Sequence, residues 1–313
     1  MKFVLRIMGG LGNQLFQYST MRYLNLRYPG SEMYIDDRNF ENYKLRNFEI
    51  KEFTCYDNIK EYHNNSIKYT IARKSYHLYQ YLYHKIFHYQ APMINRFFVK
   101  RGFLCATVDF EIPDAFNTDS VFLYGYFGKL KYINEIKHVL VNDIQLKQSL
   151  SDKAMNYMTM IRECKNSVGV SVRYGMDYRS LGWPICTPIF YRSGMDKLKQ
   201  QRGQCKFFVF SDNLKEVKDN NWFEGYDVEF VSGCSVVESF MLLRACHDFV
   251  VANSSFSWWA SWLAEGKDKI VYAPDYFYTE RYQHRYDELI TFEEERFLDY
   301  KTGEEAIKTK YQI

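Results

Sequence analysis

Lys2-Phe3-Val4-Leu5-Arg6-Ile7-Met8-Gly9-Gly10-Leu11-Gly12-Asn13-Gln14 opens the chain. An apolar run of strand length meets a glycine turn, and helical spacing follows. The reading is a strand over Phe3–Met8, then a helix over Leu15–Tyr28 closed by Pro29-Gly30. Met33-Tyr34-Ile35 is a second short strand, ending in Asp36-Asp37. Strand, crossover helix and strand at this spacing form a βαβ unit, which builds a parallel sheet.

The same alternation returns in the second half. Val168–Arg173, Cys205–Phe210, Val228–Val231, Asp248–Ala252 and Lys269–Ala273 read as strands. Helices are expected over Thr187–Gln200, with Pro188 at the start, and over Val237–Ala245 and Ser255–Ala264. The expected class is therefore α/β, with two doubly wound, Rossmann-like domains joined near residue 150. The first spans 1–150 and carries a helical insertion at about 60–110. The second spans 151–290, and 291–313 is a tail, charged from Glu293 and expected to form a terminal helix. Between them, Ile67–Phe87, Tyr132–Leu140 and Asp143–Arg162 read as helical and Val121–Tyr124 as a strand.

The length of 313 residues suits two domains, and 47% apolar with 25% charged residues excludes disordered and low-complexity classes. Net charge is only +3, but it is unevenly spread. Tyr62–Val108 has no acidic residue and carries Lys68, Arg73, Lys74, Lys85, Arg96, Lys100 and Arg101. The remainder holds 34 basic against 38 acidic residues, which argues against nucleic acid as a partner. Seven widely spaced cysteines with no C-x-x-C point to reduced thiols in a cytoplasmic protein, with no metal or disulfide framework. No apolar run reaches the roughly 18 residues of a membrane span.

Four stretches are candidates for chemistry. The Gly10-x-Gly12 turn resembles the start of a dinucleotide fingerprint, but Leu15 stands where the third glycine belongs. A tight turn alone also accounts for these glycines. Asn13 and Gln14 then read as two amides at a helix start, facing outward beyond the sheet. Asn253-Ser254-Ser255-Phe256 leads from a strand into a helix, where backbone amides and the helix dipole suit a phosphate. Simple N-capping is the plain alternative. Ser211-Asp212-Asn213 closes another strand, where a carboxylate can accept from a guanine edge or a ribose, or cap a helix. Ser171-Val172-Arg173 ends a third strand, where the guanidinium can bridge diphosphate oxygens with Asp177 to orient it, or form a surface Arg–Asp pair. Together they suit a nucleotide diphosphate bound without a metal, because no Asp-x-Asp pair is present.

These residues resemble bacterial α-1,2-fucosyltransferases of glycosyltransferase family 11. Gly9–Tyr18 is similar to the family's opening motif, and Gly125-Tyr126-Phe127 with Lys131-Tyr132 to its "GYFQ…KYF" segment, with Gly128 in place of Gln. Val170–Tyr178 is similar to its His-x-Arg-Arg-Gly-Asp-Tyr motif, and Phe208–Asn213 to its Phe-Ser-Asp-Asp strand end. Asn253–Leu263 resembles its Asn-Ser-Ser-Phe-Ser-Trp-Trp-x-x-Trp-Leu signature. Ser171 replaces the family's His, Tyr174 its second Arg, and Met176 is an extra residue.

The resemblance implies a GT-B fold with a cleft between the two Rossmann-like domains, GDP-fucose as donor and inverting transfer to the 2-hydroxyl of a galactose-terminated glycan, as in O-antigen or capsule biosynthesis. It implies that Arg173 binds the β-phosphate and steadies departing GDP. Asp212, beside Ser211, would lie near guanine or ribose, and Ser254, Ser255 and the Phe256 amide would cradle phosphate. Gly12 and Asn13 would lie beside the sugar. Asp36, Asp37, Asp177 and Glu238 are candidate bases. Other readings are a different nucleotide-sugar donor, a binding module without turnover, and a dinucleotide oxidoreductase, which the broken glycine fingerprint disfavours. The basic block, with Tyr69, Tyr76, Tyr79, Tyr81, Tyr83 and Phe87, offers interfacial rings and cations for an anionic membrane, or is a helical hairpin with a solvated basic face.

Overall fold

The computed structural model describes residues 1–41, 45–63, 67–85, 92–105, 110–180, 183, 185–266, 268–276 and 292–307. Phe87 lies outside them, as do the side chains of Lys68, Arg73, Tyr76, Tyr83 and Lys85. The chain divides into two compact units, Met1–Lys147 and Gln148–Ile313.

The first unit begins with β1 (Lys2–Arg6), α1 (Leu11–Arg27) and β2 (Glu32–Asp36). β3 (Ile59–Glu61), α2 (Ile67–Lys85), α3 (Pro92–Lys100), β4 (Phe103–Cys105) and β5 (Ser120–Tyr124) follow, then α4 (Leu130–Glu135) and α5 (Lys137–Asp143). The strands lie in the order β3-β2-β1-β5-β4, and every pairing is parallel. The chain winds outward from β1 on one side and returns on the other, so the switch point falls between β1 and β5. α1 starts at Leu11, four residues before the expected Leu15, because Gly10 already takes the extended N-cap conformation.

The second unit runs α6 (Asp152–Glu163), β6 (Ser167–Val172), α7 (Met176–Arg179), α8 (Pro188–Arg202), β7 (Lys206–Ser211), α9 (Leu214–Asp219) and β8 (Val228–Phe230). It continues with α10 (Val236–Arg244), β9 (Asp248–Val251), α11 (Ser255–Leu263), β10 (Val271–Pro274), β11 (Glu295–Leu298) and β12 (Glu305–Ala306). Its sheet order is β12-β11-β10-β9-β6-β7-β8, parallel except for β12. β6 is central and buried along its whole length, as an apolar strand covered on both faces must be. The switch point lies between β6 and β9.

Two expected helices are corrected. The helix read over Asp143–Arg162 begins only at Asp152, where the Ser151 hydroxyl caps the Ala154 amide at 3.3 Å. Before it, the chain is irregular, with a single antiparallel bridge from Leu146 to Phe53. The described part of the tail, 292–307, forms strands β11 and β12, not a helix. Phe297 and Leu298 pair with Ala273 and Pro274, so its apolar residues complete a sheet edge. The tryptophans Trp258, Trp259 and Trp262 are buried core, as expected. Among the described residues no helix is long and apolar enough to cross a membrane.

Candidate active site

In the second unit the carboxyl ends of β6, β7 and β9 flank the switch point, where parallel sheets hold ligands. β6 delivers Arg173, β7 delivers Asp212, and β9 delivers Asn253 and Ser254 ahead of α11.

Arg173 is held between two carboxylates. Its Nη2 donates to Asp177 Oδ2 at 2.8 Å, and its Nη1 pairs with Asp212 Oδ2. The guanidinium also lies over the Tyr178 ring, 5.0 Å from its centroid. The other carboxylate oxygen of Asp212, Oδ1, accepts the Tyr174 amide at 2.7 Å. Both oxygens of Asp212 are thus engaged inside the protein, so it acts here as a clamp on the Arg173 loop. Gly175 makes the clamp possible. A Cβ there would come within 2.5 Å of Asp212 Oδ2 and 2.7 Å of Asp177 Oδ1.

Beside this cluster, Arg179 forms a fork with Glu216, two bonds of 3.0 Å, and stacks over the Tyr174 ring at 4.4 Å. Asn213 caps α9 and donates to the same Glu216 at 2.6 Å. Tyr174, standing where the motif has a second Arg, therefore packs on Arg179 and Trp222. The extra Met176 is exposed, and its sulfur accepts from Arg179. Ser171 is buried within β6. The Ser211 hydroxyl turns back to accept the Asn213 amide at 3.0 Å.

The start of α11, like that of the four-residue α7, differs from the longer helices of its unit. α6, α8, α9 and α10 are each capped by a side chain, from Ser151, Thr187, Asn213 and Ser235. Ser254 makes no side-chain cap on α11, and Ser255 and Phe256 are half-buried in its first turn. The simple capping alternative does not describe this helix. Asn253 is buried, and its carbonyl accepts the Tyr178 hydroxyl at 3.3 Å. At the other end of α11, the buried Lys269 ammonium donates to the carbonyls of Ser261 (2.7 Å), Trp262 (3.3 Å) and Ala264 (3.0 Å). Sequence spacing shows no link between Lys269 and that helix end.

In the first unit, the two amides after the glycine turn have different fates. Gln14 is fully buried and does not face outward. Its Nε2 donates to the Gly9 and Asn47 carbonyls, and its Oε1 accepts the Glu49 and Ile50 amides. Gln17 likewise brackets Met8, bonding both its amide and its carbonyl. These glutamines are the internal fasteners of the turn. Gly12 is buried in the first turn of α1. Asn13 is half-buried and lies against Gly9, as does the Tyr126 ring: a Cβ on Gly9 would meet Asn13 Nδ2 at 2.9 Å and Tyr126 Cε1 at 3.2 Å. The Gly9–Asn13 and Gly125–Phe127 motifs therefore meet at the β1/β5 switch point.

Two of the candidate bases are already employed. Asp36 is buried, takes a bidentate pair from Arg38 (2.7 and 2.9 Å) and accepts the Tyr69 hydroxyl. Glu238 closes the α10 capping box and accepts the Ser151 and Ser235 amides, each at 2.8 Å. These bonds outweigh its partial desolvation and hold its carboxyl down at about 2, too acidic for a useful base. Asp37 is half-buried beside β2, and Asp177 faces Arg173. All seven cysteines are free thiols, and burial pushes Cys186 up to about 12. No three His, Cys, Asp or Glu side chains converge as a metal-ligand set among the described residues.

Two Rossmann-like parallel sheets, the second with an arginine and an unlatched helix start at its switch point, define a GT-B-like glycosyltransferase. The model of the family described as "Glycosyl transferase family 11" matches residues 1–293, and the chain belongs to that family. It is 28% identical over 284 residues to an Escherichia coli protein named alpha-1,2-colitosyltransferase, covering 87% of this chain and 90% of that one. It is 26% identical over 295 residues to the E. coli O-antigen biosynthesis glycosyltransferase WbnK, covering 85% of this chain and 91% of that one. Its fold is similar to a crystal structure of NodZ alpha-1,6-fucosyltransferase co-crystallised with GDP. The TM-score is 0.50 at 15% identity, over 84% of this chain and 92% of that chain.

Proposed function

We propose that this glycosyltransferase moves fucose from GDP-fucose to the 2-hydroxyl of a galactoside, with inversion at the anomeric carbon and without a metal ion. The observation that carries the reading is that Arg173 and the start of α11 follow the adjacent strands β6 and β9 at the carboxyl edge of one sheet. When the bond from the anomeric carbon to the phosphate oxygen breaks, its electron pair stays on GDP. The negative charge that builds there needs preorganised positive groups. The guanidinium supplies one, and the first-turn amides of α11 supply the other. Arg173 with Asp177 and Asp212 carries net −1, so the helix start is needed alongside the arginine to favour a diphosphate. The acceptor hydroxyl attacks from the opposite face. Its proton leaves late, because departure of GDP runs ahead of bond formation, and Asp37 or, on leaving its pair with Arg173, Asp177 is the candidate acceptor for it.

Thermal shift against a panel of nucleotides tests the donor, and GDP release on mixing GDP-fucose with a galactoside tests turnover. Stabilisation by GDP but not UDP is expected, together with release that depends on the galactoside. Stabilisation by UDP alone overturns the donor assignment. Binding without release makes the protein a binding module.

One observation favours a second reading of the sugar. The 28%-identical relative is named for colitose, which is fucose lacking its 3-hydroxyl. A site that hydrogen-bonds that hydroxyl rejects the deoxy sugar strongly, whereas an apolar site discriminates only weakly. The ratio of kcat/KM for GDP-fucose to that for GDP-colitose decides between them.

A further inference from the structure

α2 is the part of the molecule the proposed reaction does not use. Its 19 residues make a helix about 28 Å long. One face is fastened inward. Tyr69 is buried, donates its hydroxyl to Asp36, and packs its ring against Tyr62 (5.2 Å) and Phe122 (5.4 Å). The Arg38 guanidinium covers the same ring at 5.2 Å. Farther along, Tyr79 is buried against Phe98 of α3, 5.1 Å between centroids.

With that face fixed, the opposite face cannot turn in. It presents Ile67, Ile71, Leu78 and Tyr81, which are 79%, 57%, 60% and 61% exposed, with exposed Lys74 between them. Steps of four, three, four and three residues place all five on one narrow stripe. Such a stripe ordinarily faces a core or a partner helix. α3 adds Phe97, 50% exposed, with Arg101 over its ring at 3.6 Å and Arg96 and Lys100 exposed nearby. Neither helix contains a carboxylate.

We propose that the α2 stripe, together with the Phe97 end of α3, is a docking surface for an anionic lipid bilayer. Charge selects this occupant over a second copy of the chain. Two such surfaces face to face bring together cations with no acidic residue among them. An anionic bilayer accepts both components at once. The isoleucines, leucine and aromatic rings enter the headgroup boundary, and the lysines and arginines meet phosphates. Tyr69 and Tyr79 belong to the inward face and are not interfacial rings, while Tyr81 is one.

Co-sedimentation of the full chain with vesicles tests this. One set is equal parts phosphatidylglycerol and phosphatidylcholine, and the other is phosphatidylcholine alone. Binding to the anionic set only, weakening as salt rises, is expected. Ile71→Asp with Leu78→Asp should weaken it about tenfold or more, and Lys74→Glu about fivefold or more. All three positions are exposed, so GDP-induced thermal shifts should remain as in wild type and report an intact fold. Failure of wild type to bind the anionic vesicles overturns the proposal, and so does unchanged binding by the double variant. A wild-type dimer in light scattering that becomes monomeric in the double variant also overturns it, because the stripe is then a self-association seam.

Discussion

Gly175 and Asp212 approach so closely that a methyl group on the glycine would lie 2.5 Å from the Asp212 carboxylate. The glycine is not there for its backbone. Its φ of −67° and ψ of 152° are open to any residue. It is there because Arg173, Asp177 and Asp212 close over its α-carbon.

Gly175→Ala should therefore push the three charged groups apart while leaving the fold intact. A displacement of about 1 Å at such a site costs roughly a hundredfold in kcat/KM. Activity near wild type with an unchanged melting temperature shows that the clamp is not needed for transfer.

Arg173→Ala removes the cation and leaves Asp177 and Asp212 as neighbouring carboxylates. Transfer should fall by about 10²–10³-fold, the usual cost of losing a group that answers leaving-group charge. Arg173→Lys should recover part of this, since a point charge returns but the two-pronged geometry does not. Near-normal turnover of Arg173→Ala with GDP-fucose removes the arginine from the mechanism.

Lys269→Met keeps the apolar stem and deletes the ammonium that closes α11. Three buried carbonyls lose their donor. The expected loss is about 3 kcal/mol. For a unit the size of Gln148–Ile313 that lowers the melting temperature by roughly 6–12 °C. An unshifted transition in calorimetry means that the carbonyls find other donors.

Glu49→Gln tests a pH-dependent cost. Burial pushes the Glu49 carboxyl up from its ordinary 4.5 to about 7, against the opposing pull of Arg46 and the Leu11 amide. The folded chain therefore keeps this proton where the unfolded chain releases it. Its contribution to stability falls as pH rises from about 4.5 to about 7, and the full cost of about 3 kcal/mol is present above that. Glutamine should leave stability unchanged near pH 4.5 and raise it at pH 8. Equal melting temperatures for the two proteins at pH 8 contradict the assignment.

Much of the architecture is legible in the linear chain. Apolar runs ending in Ser211-Asp212, Arg173 and Ala252-Asn253 mark strands whose carboxyl ends carry polar groups. Period and turn chemistry are local signals, so they survive without tertiary information. The misread elements lack such a signal. Ile144–Ser151 has residues compatible with a helix, but Gln145, Leu146 and Lys147 are drawn into long-range bonds with Thr54, Phe53 and Glu52. The tail is charged, yet its few apolar residues complete a sheet. Register with a distant strand overrides local preference in both places.

For the site, the sequence by itself determined the ingredients: an arginine at the end of β6, an aspartate at the end of β7, and an Asn-Ser-Ser entry into α11. It also determined that Tyr62–Val108 carries seven cations and no carboxylate. Only the tertiary structure decided how they are used. It turned Gln14 inward, committed Asp36 to Arg38 and Tyr69, and spent Glu238 on a helix cap. It closed Asp212 over Gly175 and placed Lys269 at the far end of α11. It also sorted the tyrosines of the basic block, Tyr69 and Tyr79 inward and Tyr81 outward. The reason is physical. A residue's chemistry is intrinsic, but its partners and its burial come from strands and helices far away in the chain, and those decide which charged groups remain available to a substrate.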